Sequence, residues 1–239
     1  MKILQITPYY LPHTGGIERY VANLSKYLVK NGHEITIYTS NIPPSKKCED
    51  TNGIKIKRFF CLATPMRNPI VPAFFFPNLK EIKKYDIVQI HMIYSTAAIC
   101  GCIIKLLTGM PLIFTHHGRM VYGETHRDII KNIFEKTIMK LLLKCADHCV
   151  VLSNSDKEFI SGKNFNKEKI SVIPNGIETG IFDISNNLGY NDFIKKYNLA
   201  NTFPLLFVGE ITARKGLKYL IKAMDILINE NQLKQIKLW

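Results

Sequence analysis

The stretch KILQITPYYLPHTGGIERYVANLSKYLVKNGHEITIYTS, residues 2–40, decides the fold. It opens on a β-rich run from Lys2 to Thr7 and passes a loop holding Gly15-Gly16. Ile17, Tyr20, Val21, Leu24 and Leu28 then recur at helical spacing until Asn31-Gly32 supplies a stop. A second β-rich run, Glu34 to Thr39, follows at once. Strand, helix, strand over so short a span is a βαβ unit, and such units build parallel sheets.

The rhythm continues down the chain. Further strands are expected from Ile54 to Phe60, Ile87 to His91, Leu112 to His116, Cys149 to Leu152 and Ile170 to Ile173. Helices are expected from Ser95 to Leu107 and from Arg127 to Cys145, and Ser155 to Glu158 reads as a capping box opening one more. The fold class is therefore α/β, a Rossmann-like parallel sheet flanked by helices, over residues 1–183. Residues 184–203 turn polar and read as a linker region. From residue 204 the βα theme restarts, with a strand at Leu205 to Val208, an amphipathic helix through Leu217, Leu220, Ile221, Met224, Leu227 and Ile228, and the start of another strand at Ile236. One such unit cannot bury its helix's apolar face, so an incomplete second Rossmann-like domain, continuing beyond Trp239, is the expectation. The alternative is a last βα unit packed on the first domain.

Lys and Arg number 32 against 19 Asp and Glu, a net charge of +13. That excess suits phosphate-bearing ligands, an anionic membrane surface or nucleic acid. No nucleic-acid-binding motif accompanies it, so no nucleic-acid partner is expected. No apolar run approaches the roughly 20 residues of a spanning helix, and the start of the chain lacks an export signal, which points to the cytoplasm. The six cysteines are expected as reduced thiols. Cys100 and Cys102, or Cys145, His148 and Cys149, offer metal-ligand types at spacings that fit no zinc knuckle, so no metal site is expected. Between Lys46 and Lys84 nine basic residues stand against three acidic ones, around Pro72-Ala-Phe-Phe-Phe-Pro77. Basic residues beside exposed aromatics suit the inner face of an anionic membrane, although part of that cluster also reads as core.

Four loops carry candidate chemistry. Gly15-Gly16 ends the first strand just before a helix, where bare backbone N–H groups and the positive helix end can meet an anion; it is also an ordinary loop. Thr115-His116-His117-Gly118 ends the strand from Leu112, at the edge where open α/β sheets place their ligand crevice; a histidine satisfied by nearby backbone is the other reading. Asn175, in Val172-Ile-Pro-Asn-Gly176, marks a turn or the border of a cleft. Gly209 to Gly216 places Arg214 and Lys215 at a helix N-terminus, where cations oppose the macrodipole unless they hold a polyphosphate or remain a solvated pair.

Taken in order, Gly15-Gly-Ile-Glu-Arg19, Thr115-His-His-Gly118, Val172-Ile-Pro-Asn-Gly-Ile177 with Phe182, and Phe207-Val-Gly209 to Lys215-Gly216 resemble glycosyltransferase family 4 across nearly the whole chain. The resemblance implies the GT-B architecture, two Rossmann-like domains facing a cleft, and retaining transfer from a nucleotide-diphosphate sugar to a glycan or lipid-linked acceptor. It implies no obligatory cofactor or metal. By position, Gly16 would border the donor phosphates, His117 would lie beside the transferred sugar as the catalytic residue, and Lys215 and Arg214 would hold the diphosphate. Gly15, His116 and Asn175 would line the acceptor side or cleft. One departure is Glu210, where the family commonly has Arg; a carboxylate there repels a diphosphate unless Arg214 compensates. The family's paired glutamates would fall after Trp239.

Overall fold

A computed structural model describes residues 1–120, 125–177, 190–199, 202–209, 211–212, 215–229 and 236–238. In chain order the elements are β1 (Lys2–Ile6), α1 (Gly16–Lys30), β2 (Glu34–Ser40), β3 (Cys48–Thr51), β4 (Ile54–Phe59), α2 (Leu79–Ile82), β5 (Ile87–His91), α3 (Thr96–Thr108) and β6 (Leu112–His116). Then follow α4 (Thr125–Lys136), α5 (Ile138–Cys145), β7 (His148–Val151), α6 (Asn154–Ser161), β8 (Ile170–Val172), α7 (Tyr190–Lys196), β9 (Phe203–Leu205), α8 (Leu217–Asn229) and β10 (Ile236–Leu238). The chain divides into two compact units, residues 1–120 with 129–176 and residues 121–128 with 177–239.

The first unit is built on an eight-stranded sheet in the order β3-β4-β2-β1-β5-β6-β7-β8. Every neighbouring pair is parallel except β3 with β4. Alternation along the strands assigns the two faces. Leu4, Ile6, Val88, Ile90, Leu112 and Phe114 are all buried in the core that also holds α3 and α5. Ile3, Ile35, Ile37, Ile54 and Ile56 form a second core with Val21 and Ala22 of α1. That second face turns polar toward its middle: Ser25 Oγ donates to Gln5 Oε1 at 2.6 Å, Gln5 Nε2 to Gln89 Oε1 at 3.0 Å, and Gln89 Nε2 to Thr115 Oγ1 at 2.8 Å. The chain crosses β1, β5 and β6, and each member satisfies the next, as burial demands.

Three expectations are corrected, and one strand is added. β3 was not foreseen because Cys48-Glu-Asp-Thr51 is polar; it forms a hairpin with β4 through Asn52 (φ 54°) and Gly53 (φ 77°), the left-handed pair that a tight hairpin turn uses. The helix expected from Arg127 to Cys145 is two, because Thr137 leaves helical geometry (φ −117°, ψ −83°) while its hydroxyl donates to Ile133 O at 2.7 Å. The cap of α6 is Ser153, not Ser155: its Oγ accepts from Asp156 N, and Asp156 rather than Glu158 completes the reciprocal pair. In the second unit the strand is Phe203–Leu205 rather than Leu205 to Val208, since its parallel ladder with β10 ends at Leu205 opposite Leu238. The boundary at residue 183 and most of the linker lie outside the described residues.

Glycine at position 101 of α3 is dictated by packing. A Cβ there would sit 2.6 Å from Ile90 Cγ1 and 3.1 Å from Leu112 Cδ1. Gly101→Ala is expected to destabilise the first unit by about 1–3 kcal/mol, since a close-packed core resists added volume. The urea midpoint of the purified chain checks this, and an unchanged midpoint would show that α3 stands further from the sheet.

Candidate active site

The carboxyl ends of β1, β5 and β6 lie side by side, and the strand order reverses at β1, whose neighbours are β2 and β5. A parallel α/β sheet opens its ligand crevice at such a reversal. Three loops meet there.

The first follows β1. Gly15 is the extended N-cap of α1, and the Glu18 carboxylate occupies the space its side chain would need, so any Cβ there would overlap it. Around Gly16, by contrast, nothing lies within 4 Å of a built Cβ. The two glycines therefore differ: Gly15 makes room for Glu18, and Gly16 leaves an open approach to the amino end of α1. Glu18 is buried, and its Oε1 lies 3.0 Å from His13 Nδ1. His13 Nδ1 makes no aligned hydrogen bond, and the contact is an ion pair only if the ring is protonated. His13 also stacks on Tyr9 with ring centroids 4.3 Å apart.

The second and third loops bring two histidines together. His91, the last residue of β5, is fully buried, and its Nδ1 is 3.2 Å from Nε2 of His117, just past β6. Tyr20 of α1 meets both edge-on, at 5.9 and 4.8 Å between centroids. Burial holds the His91 ring well below its ordinary value of 6.5, with His117 adding repulsion. Burial, then the neighbouring His116, lowers His117 to about 4. Gly118 follows in the left-handed region (φ 91°) and turns the chain.

His116 points to the other face. It is buried against Phe159, with ring centroids 5.7 Å apart, and its Nε2 lies 3.9 Å from Asp156 Oδ1 without a hydrogen bond. Burial lowers it to about 4 even though Asp156 and Glu135 pull the other way. Phe159 also carries the Arg119 guanidinium and the Lys163 ammonium, each 4.6 Å from its ring centroid. Buried Glu135 accepts from Tyr94 Oη at 2.9 Å and Lys163 Nζ at 3.3 Å.

Of the residues singled out from sequence, Gly15, Gly16, His116 and His117 lie along this edge of the first unit. Asn175 is exposed in the segment after β8, two strands from β6, and neither it nor Gly176 uses left-handed backbone. In the second unit Lys215 is exposed at the turn before α8; its N–H donates to Thr212 O at 3.0 Å, and its Cδ lies 3.9 Å from a Cβ built on Gly209. Arg214, Glu210 and Phe182 lie outside the described residues. Among the described residues no group of His, Cys, Asp and Glu is arranged to hold a metal ion. All six cysteines are free, and burial pushes the Cys100 and Cys149 thiols up to about 12. His91, Tyr20, Glu18 and His13 were not foreseen. The available signal for His91 was parity: Gln89 and His91 share one face of an otherwise apolar strand.

This sheet, with its reversal and its crevice-edge loops, is the N-terminal domain of the GT-B fold. Residues 14–180 match the family described as Glycosyltransferase Family 4, and the chain belongs to that family. An uncharacterised glycosyltransferase of Methanocaldococcus jannaschii is 28% identical over 93% of this chain and 59% of its own length. An Escherichia coli UDP-Gal:alpha-D-GlcNAc-diphosphoundecaprenol alpha-1,3-galactosyltransferase is 32% identical over 64% of this chain and 39% of its own length. The chain thus spans about two fifths to three fifths of these relatives. Among solved structures, HepE of Anabaena in complex with UDP-glucose superposes with a TM-score of 0.64 at 14% identity, over all of this chain and 68% of that one.

The buried histidines set a pH dependence. An unfolded histidine takes up a proton as pH falls through about 6.5, whereas His116 and His117 resist until about 4. Between those values the unfolded state binds more protons, so stability is full above about 6.5 and falls as pH drops toward about 4. Urea midpoints are expected to decline across that window, and less steeply in His116→Phe. Equal slopes in the two proteins would remove His116 from the account.

Proposed function

We propose that this chain forms the acceptor-side domain and the beginning of the donor-side domain of a retaining glycosyltransferase. It would move a sugar from a nucleotide-diphosphate sugar to a glycan or lipid-linked acceptor. The observation that carries the reading is the convergence of open Gly16 and the His91–His117 pair at the sheet reversal, in a chain of this family. The Escherichia coli relative, named for a UDP-sugar and a diphosphoundecaprenol-linked acceptor, supports the donor and acceptor classes.

Cleaving a sugar–diphosphate bond builds negative charge on the leaving phosphate, and fixed cations and N–H groups stabilise it. Lys215 and Arg214 are assigned that task, with Gly16 giving close approach to the positive end of α1. His117 is assigned to the transferred sugar, and Gly15, His116 and Asn175 to the acceptor side or cleft, His116 only indirectly since its ring packs on the α6 side against Phe159. With fixed cations in that role, no metal is required by the mechanism. In a chain extended to the length of its relatives, His117→Ala and Lys215→Ala are each expected to lower turnover more than about tenfold, read by mass spectrometry across a nucleotide-sugar panel. Wild-type rates in either variant would remove that residue from the mechanism. Nucleotide binding without transfer by the extended protein would instead favour a non-catalytic binding module. The 239-residue chain alone is expected to transfer no sugar.

A lipid-linked acceptor calls for a membrane surface, and the region from Lys46 to Lys84 is assigned to it at the cytoplasmic face. No described helix is long and apolar enough to cross a membrane. Phe74 is core, at 2% exposure, but Phe76 is 85% exposed, Phe60 72% and Leu62 65%. Lys80, Lys83 and Lys84 are exposed, whereas Lys57 is engaged by Glu81 at 2.8 Å and Arg58 is buried against Glu49 at 2.7 Å. The segment thus carries both exposed aromatics and exposed lysines, a combination suited to anionic headgroups. Phe75→Ser with Phe76→Ser is expected to reduce sedimentation with phosphatidylserine vesicles at least about threefold, and added salt to reduce the wild type's. Undiminished sedimentation of the double variant would dissociate this surface from the membrane.

A further inference from the structure

We propose that His91 is a positioning residue for His117: through the bond between its Nδ1 and Nε2 of His117, it fixes His117 as the tautomer that presents Nδ1–H, a hydrogen-bond donor. The purpose of that donor rests on the function proposed above; the tautomer lock does not.

Two neutral imidazoles 3.2 Å apart share a single hydrogen between the facing nitrogens. Either His91 Nδ1–H donates, or His117 Nε2–H does. The choice is settled at the other end of His91, where Nε2 is buried with no partner. A buried N–H left without an acceptor is rarer than a buried lone pair left without a donor. His91 therefore keeps its hydrogen on Nδ1 and leaves Nε2 bare. Its Nδ1–H donates, His117 Nε2 accepts, and the hydrogen of His117 must then reside on Nδ1.

The surroundings hold this arrangement. Gln89 and Thr115 make the same connection one step back along the same two strands: in each case a β5 side chain meets one 26 residues later. The lower bond runs from the Gln89 amide to the Thr115 hydroxyl, and the upper bond repeats its direction. The Tyr20 ring closes over both imidazoles. A neutral His117 whose Nε2 lone pair is taken has no basic nitrogen to offer. It can stabilise an oxygen by donation, and it cannot act as a base.

The test is spectroscopic and needs no substrate. Long-range nitrogen–proton spectra of the 239-residue chain, labelled at histidine nitrogens, distinguish the tautomers, and His117→Gln identifies the His117 signals by their loss. His117 is expected as Nδ1–H. His91→Asn, whose amide nitrogen stands near the position of Nδ1, should keep that tautomer, and His91→Leu should yield a mixture. Nε2–H in the wild type overturns the proposal, as does an unchanged His117 tautomer in folded His91→Leu. If His91→Leu does not fold, the wild-type spectrum decides alone. In an extended chain that transfers sugar, His91→Leu should lower kcat about tenfold with KM little changed and His91→Asn should restore it to within about twofold; equal losses in both would make His91 merely structural. Absence of transfer in every chain would defeat the proposed function while leaving the tautomer result standing.

Discussion

Parallel pairing on both sides of β1 is the constraint from which the rest follows. Parallel strands joined by crossover helices all end at one edge, so each loop after a strand reaches the same side of the sheet. Where the order reverses, the chain leaves β1 in one direction toward β2 and the sheet grows in the other toward β5, and the loops diverge to open a crevice. The site needs no special device to assemble. Gly15-Gly16, His91 and His116-His117 share one edge of the sheet because they stand at the carboxyl ends of three adjacent strands or in the loops that follow them.

What distinguishes this sheet from a purely apolar one is the polar file on its α1 face. Ser25, Gln5, Gln89 and Thr115 are bonded in series, and His91 with His117 stands one step nearer the crevice. Buried polar groups that satisfy one another fix register more narrowly than interchangeable aliphatic contacts, because a displaced member loses its partner at full desolvation cost. The histidine pair thus inherits its geometry from the sheet. The same burial that removes water from the rings keeps them neutral, which makes a defined tautomer a structural property.

The fold was largely legible because its signals are periodic. The apolar runs at Ile87–His91 and Leu112–His116 gave both strands to the residue, and Gly109, in left-handed backbone at the end of α3, gave that helix its stop. Misreadings arose where a local bond overrides the pattern: the Thr137 hydroxyl ending α4, and Ser153 capping α6 two residues before the more obvious serine. β3 lacked apolar signal altogether, although Asn52-Gly53 marked its hairpin. At the site, strand ends exposed His116 and His117 to sequence reasoning. Their separate fates were not legible, since facing is decided by a parity that flips at each residue. His116 goes to the α6 side against Phe159, and His117 goes to the α1 side against His91.

Electrostatics at the amino end of α1 connects these features. The positive end of a helix attracts an anion, and here the first anion in place is the chain's own Glu18, desolvated and faced by His13. A diphosphate brought to Gly16 would meet that carboxylate, and two anions at one helix end repel unless further positive charge is supplied. His13 supplies it only when protonated, and neutral His117 supplies none. The net charge of +13 therefore says little about this spot by itself, because what an anion meets at the amino end of α1 is set locally, by the open backbone at Gly16 and by the carboxylate of Glu18 beside it.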